Sequence, residues 1–409
     1  MDGRISGFAE DVALAQTARS EASAQPAPCL AQRRPVRDFM ALDVLREANA
    51  RALAGHHLAR LEIGQPGAPT PRLVREAAAA ALNTEPLGYT DALGIPILRE
   101  RIARHYEERH GVRISPRRVV ITNGSSGGFL LSFLSLFDAG ARVALGVPTY
   151  PAYANILRAL EIEPVGVPLD SGSRWSLTPS HLDDLGHLSG VLAASPSNPT
   201  GVMMDAEGLG ALVRACRRRG LRLISDEIYH GLEYGAPART VLEHTSDAIV
   251  VNSFSKYYCM TGWRIGWLVV PDDLVRPMER LAQSLYISVP TLSQLAAVAA
   301  FDATEELEAN KAVYARNRAT LLKELPSLGF TDVLPADGAF YLWAGVHRFT
   351  KDSVAFASRL LHEANVAITP GVDFDPERGS GYVRLSFAGS PSDIDMALER
   401  LRAFLPTLR

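Results

Sequence analysis

From Arg72 to Phe301, short runs of apolar and β-branched residues alternate with stretches of helical length. The runs are Arg118–Thr122, Arg142–Val147, Glu163–Pro168, Gly190–Ala194, Arg222–Ser225, Ala248–Asn252 and Ile265–Val270, and amphipathic stretches such as Asp205–Arg219 lie between several of them. Continuous apolar strands separated by helices predict an α/β fold with a mainly parallel sheet covered on both faces. Past Thr304 the pattern changes. A long helical pattern over Glu305–Leu325 ends at Pro326 and Gly329. Three short strands follow, near Ala339–Trp343, Ala364–Ile368 and Tyr382–Phe387, with helices at Asp352–Leu361 and Pro391–Phe404. This predicts a smaller α+β domain, completed by an N-terminal segment with a helix around Asp38–Ala54. Residues 1–35 mix Ala, Ser, Gln and Pro without periodicity and read as a poorly ordered arm. The expected organisation is an arm over 1–35, an N-terminal segment over 36–70, a large domain over 71–303 and a small domain over 304–409.

Composition narrows the class. The 409 residues are 47% hydrophobic and 21% charged, enough apolar material for a packed core. A net charge of −3 offers no electrostatic footprint for nucleic acid. Apolar stretches such as Phe129–Phe137 fall short of the ~20 residues that span a bilayer, and Glu10 and Asp11 stand where a signal peptide would be apolar. Cys29, Cys216 and Cys259 are too scattered for a disulfide framework or a zinc site, so no metal is expected. The expectation is a cytosolic, globular protein. Of 42 basic residues only Lys256, Lys311, Lys323 and Lys351 are lysines, so chemistry that needs an amine has four candidates.

Open parallel sheets bind ligands beyond the carboxyl ends of their strands. After Arg118–Thr122 comes Asn-Gly-Ser-Ser-Gly-Gly, residues 123–128, ahead of a helix over Phe129–Phe137. It is either an anion cradle of free amides and hydroxyls or a tight turn with a serine cap. It lacks the P-loop Gly-Lys-Ser/Thr and the dinucleotide GxGxxG. After Gly190–Ala194 lies a turn-rich loop containing Asn198, and after Arg222–Ser225 come Asp226 and Tyr229. That aspartate could equally be a helix cap. After Ala248–Asn252 stands Ser253-Phe-Ser255-Lys256, with Arg264 eight residues further. The other lysines sit on polar helix faces or caps, whereas Lys256 lies among Phe254, Tyr257, Tyr258, Cys259 and Met260. An amine in apolar surroundings near cations is a nucleophile toward carbonyls, although a lone lysine can also snorkel to the surface. Hydroxyls and a cation beside it suit a carbonyl compound that carries a phosphate. Pyridoxal 5′-phosphate fits that description, held by Lys256 as a Schiff base with Asp226 at the pyridine nitrogen. Ser125, Ser126, Ser253, Ser255 and Arg264 would take the phosphate, Asn198 and Tyr229 the ring oxygen, and Tyr150 the ring face.

Seven motifs in order resemble the class I/II aminotransferases, the aspartate aminotransferase-like branch of fold type I pyridoxal-phosphate enzymes, from about Leu61 to Leu401. They include Ile63-Gly-Gln-Pro66, Gly88-Tyr89-Thr90, Asn123-Gly-Ser-Ser126, Pro148-Thr-Tyr150-Pro151, Ser197-Asn198-Pro-Thr-Gly201 and Ser225-Asp-Glu-Ile-Tyr229. The most specific is Ser253-Phe-Ser-Lys256 through Thr261-Gly-Trp-Arg264-Ile-Gly266. Asp337–Tyr341 and Tyr382-Val-Arg384-Leu-Ser386 extend the match into the small domain. The resemblance implies ping-pong transfer of an amino group between an amino acid and a 2-oxo acid, with Lys256, Asp226 and Tyr229 as the catalytic set. It also implies that Arg384 binds the substrate carboxylate with Asn198 and the backbone of Gly64. The residues alone allow Arg384 to be a solvated arginine on a half-buried strand. Finally it implies a homodimer in which Tyr89 reaches the partner subunit's phosphate site, though by itself Tyr89 reads as a loop tyrosine. A C–S lyase on the same fold is the alternative activity. A ligand sensor fused to a DNA-binding module lacks the preceding winged-helix-sized pattern. Phe39, Met40 and Tyr286 are candidates for an apolar side-chain pocket, and Arg33, Arg34 and Arg37 for a second carboxylate.

Overall fold

The fold is described by a computed structural model covering residues 36–408; the expected arm, with Cys29, Arg33 and Arg34, lies outside the described residues. In chain order the first half comprises α1 (Met40–Leu53), β1 (Ala59–Arg60), α2 (Arg72–Thr84), α3 (Pro96–His110), β2 (Val119–Thr122), α4 (Gly124–Leu136), β3 (Arg142–Val147), α5 (Pro151–Ala159), β4 (Glu163–Pro168), β5 (Gly190–Ala194), α6 (Ala206–Arg218) and β6 (Arg222–Asp226). The second half comprises β7 (Ile249–Ser253), β8 (Gly266–Val269), α7 (Asp272–Leu285), α8 (Thr291–Ala300), α9 (Thr304–Leu328), β9 (Tyr341–Gly345), α10 (Ser353–Glu363), β10 (Val366–Ala367), β11 (Thr369–Pro370), β12 (Tyr382–Ser386) and α11 (Pro391–Phe404).

The main sheet has the order β2-β8-β7-β6-β5-β3-β4. Its pairings are parallel except the two that β8 makes, with β2 and β7. In all strands but the edge strand β4, alternate residues feed opposite hydrophobic clusters. Ile121, Val191, Leu223, Val250 and Trp267 enter one, while Val120, Leu192, Ile224, Val251 and Leu268 enter the other. Both faces are therefore covered, and this is why the strands read as continuous apolar runs. Further along the chain, β11, β12 and β9 form an antiparallel sheet, and β1 pairs in parallel with β10 through Ala59↔Val366. Among the described residues no helix is long and apolar enough to cross a membrane.

Three local expectations are corrected. Helix α4 starts at Gly124, not Phe129, and neither serine caps it: the N-cap is Asn123, whose side chain makes no capping bond. Gly124, at φ +67°, makes the turn that lets the helix begin at once. Helix α9 runs through Pro326 to Leu328, because a proline φ is helical, and it stops at Gly329 with φ +102°. The strand expected over Ala364–Ile368 is only Val366–Ala367. It pairs with β1, whose extended segment offers it an edge, and Thr369–Pro370 is the third strand of the antiparallel sheet.

Gly266 shows how tightly the site end of the sheet is built. A Cβ there would stand 2.7 Å from the carbonyl of Asn252 and 3.1 Å from the amide of Ser125. Both obstacles are backbone, so neither can swing aside. Gly266→Val should therefore destabilise the protein by about 1–3 kcal/mol, read as a lowered urea midpoint. An unchanged midpoint would show that β8 and the start of α4 can separate freely.

Candidate active site

The strand ends converge as the topology requires. Asp226 ends β6, Lys256 follows β7 by three residues, Asn198 follows β5, Tyr150 follows β3, and Ser125 and Ser126 open the helix after β2. Because β8 is antiparallel, its beginning lies at the same edge, and this brings Arg264 there too. These residues, with Gly64, Tyr229, Ser255 and Arg384, line one cavity of about 280 Å³. A Cβ on Gly124 would collide with the guanidinium of Arg264, so this arginine lies directly over the opening turn of α4. Free helix amides, two serines and a guanidinium there make a cradle for a dianion.

Lys256 is partly buried, and its Nζ donates to the carbonyl of Gly64 at 2.5 Å. Burial, reinforced by Arg384 and Arg264, pushes its amine down to about 8, against a smaller upward pull from Asp226. Asp226 is 3% exposed, and burial pushes it up to about 6. Its Oδ1 accepts the amide of Ile228 at 3.0 Å, and Oδ2 accepts a short bond from the Tyr153 hydroxyl. The Tyr229 hydroxyl pairs with that of Tyr341 at 3.0 Å. Tyr150 is partly buried, and desolvation pushes it up to about 12, so it remains a neutral ring.

Arg384 is 3% exposed, which removes the reading of a solvated strand arginine. Its Nη1 donates to Asn198 Oδ1 at 3.1 Å, and Nη2 donates to the carbonyl of Glu62 at 2.7 Å and to Thr369 Oγ1 at 3.3 Å. The guanidinium carbon lies 4.3 Å from the Tyr341 ring centre and 4.7 Å from that of Phe374. Its buried Nε has no acceptor among the described residues, so the fork retains a donor. Such an orphan donor suits a carboxylate ligand.

Some expected residues stand elsewhere. Ser253 does not line the cavity; its hydroxyl donates to Ser255 Oγ and to the carbonyl of Ile265, so it braces the turn. Tyr89 is 83% exposed and away from the cavity of its own chain. Phe39 lines the cavity, but Met40 and Arg37 face a separate recess, and Tyr286 packs against the core. Lys311 is not a solvated helix lysine: it lies 3.6 Å from buried Glu233. Tyr153 and Glu62 were not anticipated. Tyr153 follows Tyr150 by three residues, about one helical turn, and that spacing could have found it. Glu62 had no signal, since only folding brings its carbonyl to Arg384. Among the described residues no group of metal-ligating side chains could hold an ion.

Residues 57–401 match the aminotransferase class I and II family. The chain is 50% identical over 383 residues to the valine–pyruvate aminotransferase of Mycobacterium tuberculosis, covering 92% of this chain and 99% of that one. It is 34% identical over 376 residues to an aspartate aminotransferase of Thermotoga maritima, covering 91% and 97%. It also resembles the crystal structure of an aminotransferase from Mycobacterium tuberculosis, with a TM-score of 0.91, 49% identity and coverage of 93% and 100%.

The surroundings of Lys256 generate a pH expectation. With its amine drawn down to about 8, the reactive free base should appear as pH rises through 8, not through the ordinary value of 10.5. In the cofactor-free protein, competitive labelling by acetic anhydride, read by mass spectrometry of the Lys256 peptide, should titrate there. Arg384→Gln removes a repelling cation and should move the midpoint upward. A wild-type midpoint near 10.5 would contradict the burial argument.

Proposed function

The chain belongs to the aminotransferase class I and II family, and from this we propose that it transfers an amino group between an aliphatic amino acid and a 2-oxo acid with pyridoxal phosphate as cofactor. The observation that carries the reading is the partly buried amine of Lys256, which feels the carboxylate of Asp226, with Arg264 and Arg384 lining the same cavity. The residues fit the cofactor. Ser125, Ser126, Ser255 and Arg264 would hold its phosphate, Asn198 and Tyr229 its ring oxygen, Asp226 its pyridine nitrogen, and Tyr150 its ring face. When bound, the cofactor supplies an aldehyde for amines and a cationic ring that draws electrons from the substrate's Cα.

The protein's own groups do the rest. Lys256 would hold the cofactor, and its free amine would take the proton from the substrate Cα. Asp226 keeps its charge toward the ring nitrogen, and the Tyr153 bond and the Ile228 amide fix its orientation. Arg384 grips the α-carboxylate, using the Nε donor that has no acceptor among the described residues. Two half-reactions at one site give ping-pong kinetics. We extend the proposal to a homodimer, since Tyr89, exposed on its own chain, is available to the partner subunit's phosphate site.

Substrate class follows from charge. Among the described residues the cations lining the cavity are Lys256, Arg264 and Arg384, and each already has a role. Among the described residues no further cation lines the cavity to meet a distal carboxylate, whereas Phe39, Leu42, Leu45 and Ile63 offer apolar surface. The name of the valine–pyruvate relative supports the same class.

In assays with pyruvate as acceptor, valine and leucine should surpass aspartate in kcat/KM by about 10-fold or more. A preference for aspartate would overturn the aliphatic assignment. For the dimer, inactive Tyr89→Glu and inactive Lys256→Ala subunits should regain activity when mixed, because each hybrid has one intact site. Exchange of subunits without recovery would assign Tyr89 to its own chain.

A further inference from the structure

Helix α1 begins without a local cap. Its N-cap residue, Phe39, has no side-chain acceptor for the free amides of the first turn. The acceptor comes from the far end of the chain. Asp373, in the turn after β11, takes the Met40 amide on Oδ1 and the Ala41 amide on Oδ2, each at 3.0 Å. A carboxylate there also meets the positive end of the helix dipole. Asp373 is 9% exposed and lies outside the cavity lining.

The clamped turn carries the apolar wall of the cavity. Phe39, Ala41 and Leu42 line it, and the Phe39 ring packs edge-on against Tyr150 with centres 5.6 Å apart. The same short stretch that carries Asp373 also reaches the fork. Thr369 accepts a bond from Arg384, and Phe374 lies against its guanidinium. One backbone segment thus touches both the Arg384 guanidinium and the turn that carries the apolar wall.

We propose that Asp373 is a positioning residue that determines substrate side-chain specificity, by setting the gap between the Phe39–Leu42 wall and the Arg384 fork. This rests on the aliphatic aminotransferase reading above. Side chains that fill the gap depend on the clamp. A methyl group depends on it far less.

The test follows half-reactions of the holoenzyme with valine and with alanine through the absorbance of the bound cofactor. It is paired with hydrogen exchange of the first turn of α1. Asp373→Ala should raise the half-saturating valine concentration about 10-fold and that of alanine less than about 3-fold, with limiting rates little changed. Asp373→Asn keeps one acceptor oxygen and should fall between, and it decides the matter should the alanine variant not fold. In either variant the Met40 and Ala41 amides should exchange faster than in the wild type. Equal shifts for both donors, or unchanged exchange, would overturn the proposal. A wild type that reacts with neither donor would sink the functional reading instead, while the exchange of Met40 and Ala41 still tests the clamp.

Discussion

Strand β8 runs against its neighbours, and this reversal returns the chain to the edge where the parallel strands end. The segment between β7 and β8 is therefore a loop whose two ends share one edge, with Lys256 near its start and Arg264 near its finish. A parallel β8 would have sent Arg264 to the far edge of the sheet. Gly266 permits the close approach, since β8 begins against the carbonyl of Asn252 and the first turn of α4. Arg264 itself sits at φ 51°, a left-handed conformation that a non-glycine residue adopts at a cost of about 1–3 kcal/mol.

Placing so many ionisable groups inside the protein is expensive, and the surroundings show how each is accommodated. Arg384 has three acceptors and two aromatic faces. Asp226 has two donors. Glu62 reaches Arg60 Nε at 2.8 Å, although burial still raises its carboxyl above the ordinary range. Glu227 takes another route. Burial pushes it up to about 8 and neighbouring His230 down to about 3, so at neutral pH both are uncharged. Their 3.6 Å approach is then a contact of neutral groups, not an ion pair. Glu227, the residue next to Asp226, is thereby removed as a competing charge.

The apolar side of the cavity is built differently. Its wall comes from α1, which is linked through β1 and β10, and through Asp373, to the C-terminal part of the chain. The polar floor comes from the strand ends of the main sheet. The apolar wall and the polar floor thus come from distant parts of the sequence, joined at Arg384 and Asn198. The 3.1 Å bond between those two spans a sequence separation of 186 residues.

Much of this was legible in the sequence. Continuous apolar runs identified all seven strands of the main sheet to within about two residues, because burial on both faces leaves no polar alternation to confuse them. Lys256 stood out because lysine is scarce here and its neighbours are apolar and hydroxylic. Boundaries set by special backbone geometry were less legible. The start of α4 at Gly124 and the passage of α9 through Pro326 depend on single φ angles that composition does not reveal. Relations between distant segments were not legible at all. The carbonyl of Glu62 under Arg384, the grip of Asp373 on α1 and the withdrawal of Ser253 into its own turn exist only once strands are paired. Local sequence determined which residues could do chemistry, through side-chain type and the periodicity of burial. Tertiary structure decided which of them meet, because a hydrogen bond between residues hundreds of positions apart has no local pattern to announce it.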